Sequence, residues 1–151
     1  MNDFFISVII PTYLRKKKLK FAMDSVFSQT YKNWEIIVVD NNSNDGTHEL
    51  VESYKSDKIH FKTINNNGNI AKSRNLGIKF SNGDYIAFLD SDDFWKKNKL
   101  QDSINYLNQG YKLVYHDMHI IKKYKQIFFK RTGYCRDLKG DIGKDLIFNG
   151  P

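Results

Sequence analysis

Three short runs, Phe4-Phe5-Ile6-Ser7-Val8-Ile9-Ile10, Trp34-Glu35-Ile36-Ile37-Val38-Val39 and Tyr85-Ile86-Ala87-Phe88-Leu89, are β-branched or aromatic with little polar alternation. A strand wetted on one face alternates. A run apolar at successive positions is a strand covered on both faces, as in the middle of a parallel sheet. Between the first two runs, Leu19, Ala22, Met23, Val26 and Phe27 recur at three- and four-residue spacing. That spacing places one apolar stripe on a helix of about four turns.

The alternation continues down the chain. After Val39 a polar loop runs from Asn41 to Gly46, followed by a helix near Thr47 to Tyr54. Next comes a strand in which Ile59 and Phe61 alternate with Lys58, His60 and Lys62, the one-sided pattern of an edge strand. A further helix is expected over Ile70 to Phe80, stopping at Ser81-Asn82-Gly83. Another is expected over roughly Lys97 to Asn108, ending at Gly110, with a strand at Lys112 to His116. Strands alternating with helices predict an α/β fold with a mostly parallel sheet flanked by helices. From about Ile120 the periodicity fades, and Lys122 to Arg131 mixes charge with aromatics. No linker or repeat divides the chain, so a single domain over residues 1–151 is expected, its C-terminal portion short or incomplete.

Composition narrows the function classes. Hydrophobic residues at 40% and aromatics at 15% suffice for a packed core and argue against disorder. A net charge of +7 favours anionic partners: phosphates, nucleic acid or an acidic lipid surface. The single cysteine, Cys135, excludes an internal disulfide, no Cys/His spacing resembles a structural zinc site, and a reducing cytoplasm is the natural compartment. The start, Met1-Asn2-Asp3-Phe4, is acidic where a signal peptide is basic, and its apolar stretch is broken by Ser7 and closed by Pro11. Uninterrupted apolar runs reach four or five residues, far from the roughly 20 of a membrane-spanning helix. His116-Asp117-Met118-His119 invites a metal reading, but on a strand the two histidines point to opposite faces.

In open parallel sheets ligands bind outside the carboxyl ends of the strands. Here those ends deliver Pro11-Thr12-Tyr13, Asp40-Asn41-Asn42, Asn65-Asn66-Asn67-Gly68 and Asp90-Ser91-Asp92-Asp93. Asp90, Asp92 and Asp93 repel one another unless a cation or protons offset the charge, and a hard divalent ion does this well. In an extended segment Asp90 and Asp92 point the same way, toward a magnesium or manganese ion that keeps positions open for phosphate oxygens. The plainer alternative makes Ser91 to Asp93 an N-cap with first-turn acids. Asp40 alone reads as an Asx-turn residue, and Tyr13 as an exposed aromatic. Together they offer a nucleobase a stacking partner and an N–H acceptor. The run Gly68 to Gly77 opens a helix with backbone donors near Gly68 and places Lys72 and Arg74 in its first turns, which favours phosphate. Neither a dinucleotide-binding nor a P-loop glycine motif occurs.

Five strings in register carry a family resemblance: Ser7 to Tyr13, Asp24 to Tyr31, Trp34 to Asp40 with Ser43 to Thr47, Ala71 to Gly77, and Phe88 to Asp93. Over about residues 5–95 the chain resembles glycosyltransferase family 2. The resemblance implies a GT-A fold with residues 5–95 as nucleotide-sugar-binding core and residues 96–151 as the start of an acceptor-side region. It implies metal-dependent transfer of a sugar, with inversion, from a nucleoside diphosphate donor, most commonly a UDP-sugar. The acceptor would be a glycan or lipid-linked glycan of a bacterial cell surface. By resemblance Thr12 and Tyr13 line the nucleoside pocket, Asp40 contacts the base, Arg74 lies beside the nucleotide and Asp90 approaches the ribose; Pro11, Asn42, Gly68, Lys72 and Ser91, at or near the same strand ends, complete the expected nucleotide-sugar-binding set. Asp90 and Asp92 match the Asp-x-Asp motif that approaches Mn²⁺ or Mg²⁺, with Asp92 binding the ion. Asn41 stands where the family often has a second aspartate, and Ser73 where it often has alanine.

The family's general base comes from a later region, and no motif for it precedes Pro151. Asp137, Asp141 and Asp145 read as helix-start and surface acids. The expectation is donor binding with poor transfer by this chain alone, the alternative being a non-catalytic nucleotide-sugar-binding module. The cluster Arg15-Lys16-Lys17-Lys18 with Lys20 reads as a solvated helix face. With Lys122 to Arg131 it offers peripheral contact to an anionic membrane at the inner face of the cell. No nucleic-acid-binding motif appears, so nucleic acid is not an expected partner.

Overall fold

The computed structural model describes residues 2–116, together with the backbone of two strands at 118–124 and 127–133. The chain divides into two compact units, Met1–Tyr111 and Lys112–Pro151. In the first unit the elements are β1 (Ile6–Thr12), α1 (Lys16–Phe27), β2 (Trp34–Asp40), α2 (Thr47–Glu52), β3 (Ile59–Thr63), α3 (Ile70–Lys79), β4 (Tyr85–Phe88) and α4 (Lys99–Leu107). Every strand pairing in the four-stranded sheet is parallel, and the order is β3-β2-β1-β4. The expected α/β architecture is therefore present, with β1 and β2 buried at every position and β3 at the edge.

Connections from β1 to β2 to β3 step one way across the sheet, and β4 then returns to the other side of β1. That reversal is a topological switch point, where the loops at the carboxyl ends of β1 and β4 separate and leave a crevice. Register locates it. β1 pairs with β2 from Ile6–Trp34 through Thr12–Asp40, but with β4 only from Ile6–Tyr85 to Ile9–Phe88.

The core beneath the rim is aliphatic. Ile9, Ile37 and Val39 are fully buried, and Ile64, Leu76 and Ile86 pack against them. Each such side chain removed from water contributes roughly 1.5–3 kcal/mol. Leu19, Ala22, Met23 and Val26 are the buried stripe of α1, as their spacing predicts. On α3, a Cβ at Gly77 would collide with the Ile9 side chain, so glycine there lets the helix lie close against β1.

Two expectations fail in the second unit. The strand expected at Lys112 to His116 does not form; the segment is irregular and Leu113 and Tyr115 are exposed. A short apolar run makes a strand only where a neighbour completes its backbone hydrogen bonds. Further along, β5 (Met118–Tyr124) and β6 (Ile127–Gly133) pair antiparallel, from Met118–Gly133 to Tyr124–Ile127. They cover the charged, aromatic stretch in which the sequence shows no period. An antiparallel pair tolerates such a mixture because one face can remain wet. Cys135, Asp137, Asp141 and Asp145 lie outside the described residues.

At the amino end of the sheet a buried carboxylate ties four segments together. Glu35 accepts hydrogen bonds from Ser7 Oγ at 2.6 Å, Asn82 N at 2.7 Å and Asn82 Nδ2 at 3.2 Å, and His60 Nε2 lies 3.0 Å away. Desolvation raises its pKa, but the bonds from Ser7 and Asn82 and the adjacent His60 outweigh this and hold it below the ordinary 4.5. A carboxyl depressed in the folded state contributes stability above its unfolded pKa and loses it as pH falls through the folded value. Urea unfolding of the wild type should therefore show a falling free energy below about pH 4.5, and Glu35→Gln should flatten that part of the profile. An identical slope in the two proteins would remove Glu35 from the account.

Candidate functional site

The site is assembled from the loops at the carboxyl ends of the four parallel strands. Thr12 O accepts from Asn41 N at 3.0 Å, and Ile9 O accepts from Leu89 N at 3.1 Å. Since alternate residues of a parallel strand bond to opposite neighbours, the Pro11 nitrogen faces the β4 side, where pairing has already ended. A residue with no N–H costs no ladder bond at that position and keeps the mouth open. Thr12 itself is buried, and its Oγ1 has no hydrogen-bond partner. Tyr13 is half exposed.

After β2, Asp40 is 2% exposed. Its Oδ2 accepts from Ser43 N at 2.7 Å and its Oδ1 from Ser43 Oγ at 2.5 Å, so Asp40 closes a turn, but onto the residue three along rather than the two of an Asx turn. The turn does not exhaust the carboxylate, which has about four acceptor positions. With Asn42, Ser43, His48, Phe61 and Thr63, Asp40 lines a cavity of about 490 Å³. Ser43 Oγ also accepts from Leu14 N at 2.8 Å, and Asp45 Oδ2 from Lys16 N at 3.0 Å, which ties the loop after β1 to the loop after β2.

After β3, Asn66 braces the start of α3. Its Nδ2 donates to Ser73 Oγ at 2.8 Å and its Oδ1 accepts from Gly68 N at 2.8 Å. Ser73 is thus a buried anchor. Gly68 adopts φ +78°, and Asn69 caps the helix by accepting from Ala71 N at 3.0 Å. Arg74 Nη2 donates to Asp90 Oδ1 at 2.8 Å, its guanidinium lies 5.7 Å from the Phe88 ring centre, and its buried Nε has no partner. Lys72 is exposed, and two residues along a helix it projects away from the side Arg74 occupies. Of these two cations of α3, Arg74 pairs with an acid of the rim and Lys72 points elsewhere.

After β4 the chain is not extended. Ser91 and Asp92 form a turn, with Asp93 N donating to Asp90 O at 3.0 Å, and Ser91 is buried. Asp90 and Asp92 therefore do not share a strand face: Asp90 meets Arg74, while Asp92 Oδ2 meets Arg15 Nη1 at 2.8 Å and Lys18 Nζ at 3.9 Å. Nor do Ser91 to Asp93 cap a helix, because α4 begins at Lys99 with Asn98 at its cap position. The delay has a cause. Gln29 Nε2 donates to Lys96 O at 2.8 Å and its Oε1 accepts from Leu100 N at 2.9 Å, which holds the chain ahead of α4 against the end of α1. Desolvation, together with the charges of Asp92 and Asp90, pushes the Asp93 carboxyl above its ordinary value.

Arg15 and Lys18, which the sequence pattern makes solvated, are the rim residues that sequence reasoning misses. The signal that could have found them is electrostatic: the first turn of α1 holds no acid, although cations there oppose the helix dipole. Among the described residues no group of three or more His, Cys, Asp or Glu side chains converges to form a closed metal cage. Asp90 and Asp92 are hard oxygen donors of the kind a magnesium-like ion prefers, and in this structure each is paired with an arginine.

A parallel sheet with an acidic, arginine-braced rim at its switch point places the chain in the class of open-sheet α/β proteins, which bind their ligands outside the carboxyl ends of the strands. Glycosyl transferase family 2 matches the chain over residues 7–145, and the chain belongs to that family. It is 38% identical over 105 residues to the UDP-Glc:alpha-D-GlcNAc-diphosphoundecaprenol beta-1,3-glucosyltransferase WfgD of Escherichia coli, covering 70% of this chain and 42% of WfgD. It is 36% identical over 104 residues to the putative teichuronic acid biosynthesis glycosyltransferase TuaG of Bacillus subtilis, covering 68% of this chain and 41% of TuaG. Among solved structures, S. aureus TarS in complex with UDP superposes with a TM-score of 0.65 at 32% identity, covering 70% of this chain and 32% of that chain. The fold is thus GT-A, and the chain spans less than half the length of each of these relatives.

Proposed function

We propose that this chain is the donor-binding part of a glycosyltransferase that moves a sugar, with inversion, from a UDP-sugar to a glycan or lipid-linked acceptor in cell-surface polysaccharide synthesis. The observation that carries the reading is the set of strand-end groups at the switch point: the carboxylates of Asp90 and Asp92, each held by an arginine, with Thr12 Oγ1 and Arg74 Nε buried and unpartnered, as is Trp34 Nε1 at the opposite end of the sheet. Buried polar atoms without partners cost about 1–3 kcal/mol each unless a ligand satisfies them. In this reading Tyr13 stacks on the base, Asp40 accepts from its N–H, and the backbone near Gly68, Ser91 and Asn42 borders the ribose and sugar. The names of the relatives support the choice: WfgD takes UDP-Glc and a diphosphoundecaprenol acceptor, and TarS is seen with UDP.

Asp92, with Asp90, would hold a manganese or magnesium ion, which when bound stabilises negative charge on the departing diphosphate. The chain's own contribution is positional. Arg74 fixes the Asp90 carboxylate, buried Ser91 holds the turn, and the Asn66–Ser73 bond locks the start of α3 beneath it. Calorimetric titration with UDP, GDP and TDP, each with Mn²⁺ or a chelator, should show tight binding of UDP only with the metal. Asp92→Ala should weaken it by about tenfold or more, the loss of a charge-assisted contact. Metal-independent binding, or equal affinity in the variant, would refute the assignment.

We also place the chain against the cytoplasmic face of an anionic membrane. Among the described residues no helix is long and apolar enough to cross a bilayer. In support of surface contact, α1 carries Phe21 at 69% exposure among Lys17, Lys18 and Lys20, an aromatic in a basic face. Co-sedimentation with vesicles containing phosphatidylglycerol at low salt should be strong, fall with added salt, and drop in Phe21→Ser. Equal binding to neutral vesicles would contradict it.

A further inference from the structure

One ion pair joins the acid rim to the basic start of α1. Arg15 Nη1 lies 2.8 Å from Asp92 Oδ2, and Lys18 Nζ lies 3.9 Å from the same oxygen. The helix itself does not explain these cations. Residues 15–18 read Arg-Lys-Lys-Lys at the end of α1 where backbone N–H groups already project positive potential, and Arg15 makes no side-chain cap. Nor does the pair serve a buried core: the Arg15 side chain is 48% exposed and that of Asp92 36%. An exposed pair of this kind is easily exchanged for another partner.

Charge balance says what the exchange would be. At the rim Asp90, Asp92 and Asp93 stand against Arg74, Arg15 and Lys18, so the fixed charges cancel. A nucleoside diphosphate sugar carries two negative charges, so together with a divalent cation it adds almost no net charge. They can both be accommodated if the cation takes Asp92 while the guanidinium moves to the phosphate. The planar fork of arginine matches phosphate oxygens as well as it matches a carboxylate.

We propose that Arg15, assisted by Lys18, is a diphosphate-binding residue that stands on Asp92 in the donor-free chain and changes partner from carboxylate to phosphate when donor and cation bind. The inference rests on the donor reading above and adds to it a residue pair and a coupling. Because Arg15 competes with the cation for Asp92, metal alone binds weakly, and metal and nucleotide each improve the other's affinity.

Calorimetry on the whole chain tests this with three titrants: Mn²⁺ alone, UDP with Mn²⁺, and uridine. In Arg15→Gln, Mn²⁺ alone should bind several-fold tighter, UDP with Mn²⁺ about tenfold weaker, and uridine as in the wild type. Arg15→Lys, which keeps the charge but loses the fork, should fall between, and an unchanged melting midpoint verifies folding. If the wild type binds UDP but Arg15→Gln changes neither the Mn²⁺ nor the UDP affinity, this inference fails while the donor reading stands. Equal losses for uridine and UDP also overturn it. A wild type that binds no UDP refutes the donor reading and, with it, the phosphate role of Arg15.

Discussion

The unequal pairing of β1 governs the rest of the molecule. This strand bonds β2 along seven register positions and β4 along four, so its last residues have a neighbour on one side only. Pro11 sits just past the last position paired to β4, and its missing N–H makes the separation permanent. The crevice is thus a consequence of where backbone hydrogen bonding stops. Thr12 and Tyr13 border it because they come directly after Pro11, and Asp90 borders it because β4 ends at Phe88. The aliphatic layer of Ile9, Ile37 and Val39 beneath keeps the rim from shifting.

Electrostatics then decides what the crevice can hold. Crowded carboxylates after β4 are tolerated because Arg74 arrives from α3 and Arg15 from the start of α1. Both arginines are delivered by braced segments: α3 through the Asn66–Ser73 bond, and the α1 start through Asp45 and Lys16 N. Burial first, and then the charges of Asp92 and Asp90, raise the Asp93 carboxyl, so its charged form is disfavoured.

The inner strands β1 and β2 are legible in the sequence because continuous apolar runs have one economical fate in a parallel sheet. The run at β4 is legible as a strand but not as the doubly covered one expected, because it lies at the sheet edge, half-buried, with Phe88 exposed. The α1 stripe is legible by the same logic at helical period. The failures share a physical cause, which is that tertiary partners outweigh local pattern. Leu113-Val114-Tyr115, flanked by Lys112 and His116, reads as a short strand yet forms none, and the chain before α4 is held irregular by Gln29 of a distant segment. At the site, strand-end position alone selects Thr12, Asp40, Arg74's partner Asp90 and the start of α3. Sequence proximity groups Lys72 with Arg74, which a helix contradicts. Arg15 and Lys18 escape sequence reasoning because a charge run looks solvated until the acid it meets, 77 and 74 residues later in the numbering, is known.

The central claim, that the β1–β4 switch point is a nucleoside diphosphate and metal site, is open to direct measurement. In an amide NMR spectrum of the labelled chain with UDP, substoichiometric Mn²⁺ broadens signals according to their distance from the ion. The account predicts that Ser91, Asp92 and Asp93 broaden first, with Arg15 and Arg74 next, while Glu35 and Asn82 at the opposite end of the sheet stay sharp. Broadening centred at that opposite end, or spread evenly over the exposed acids, would contradict it.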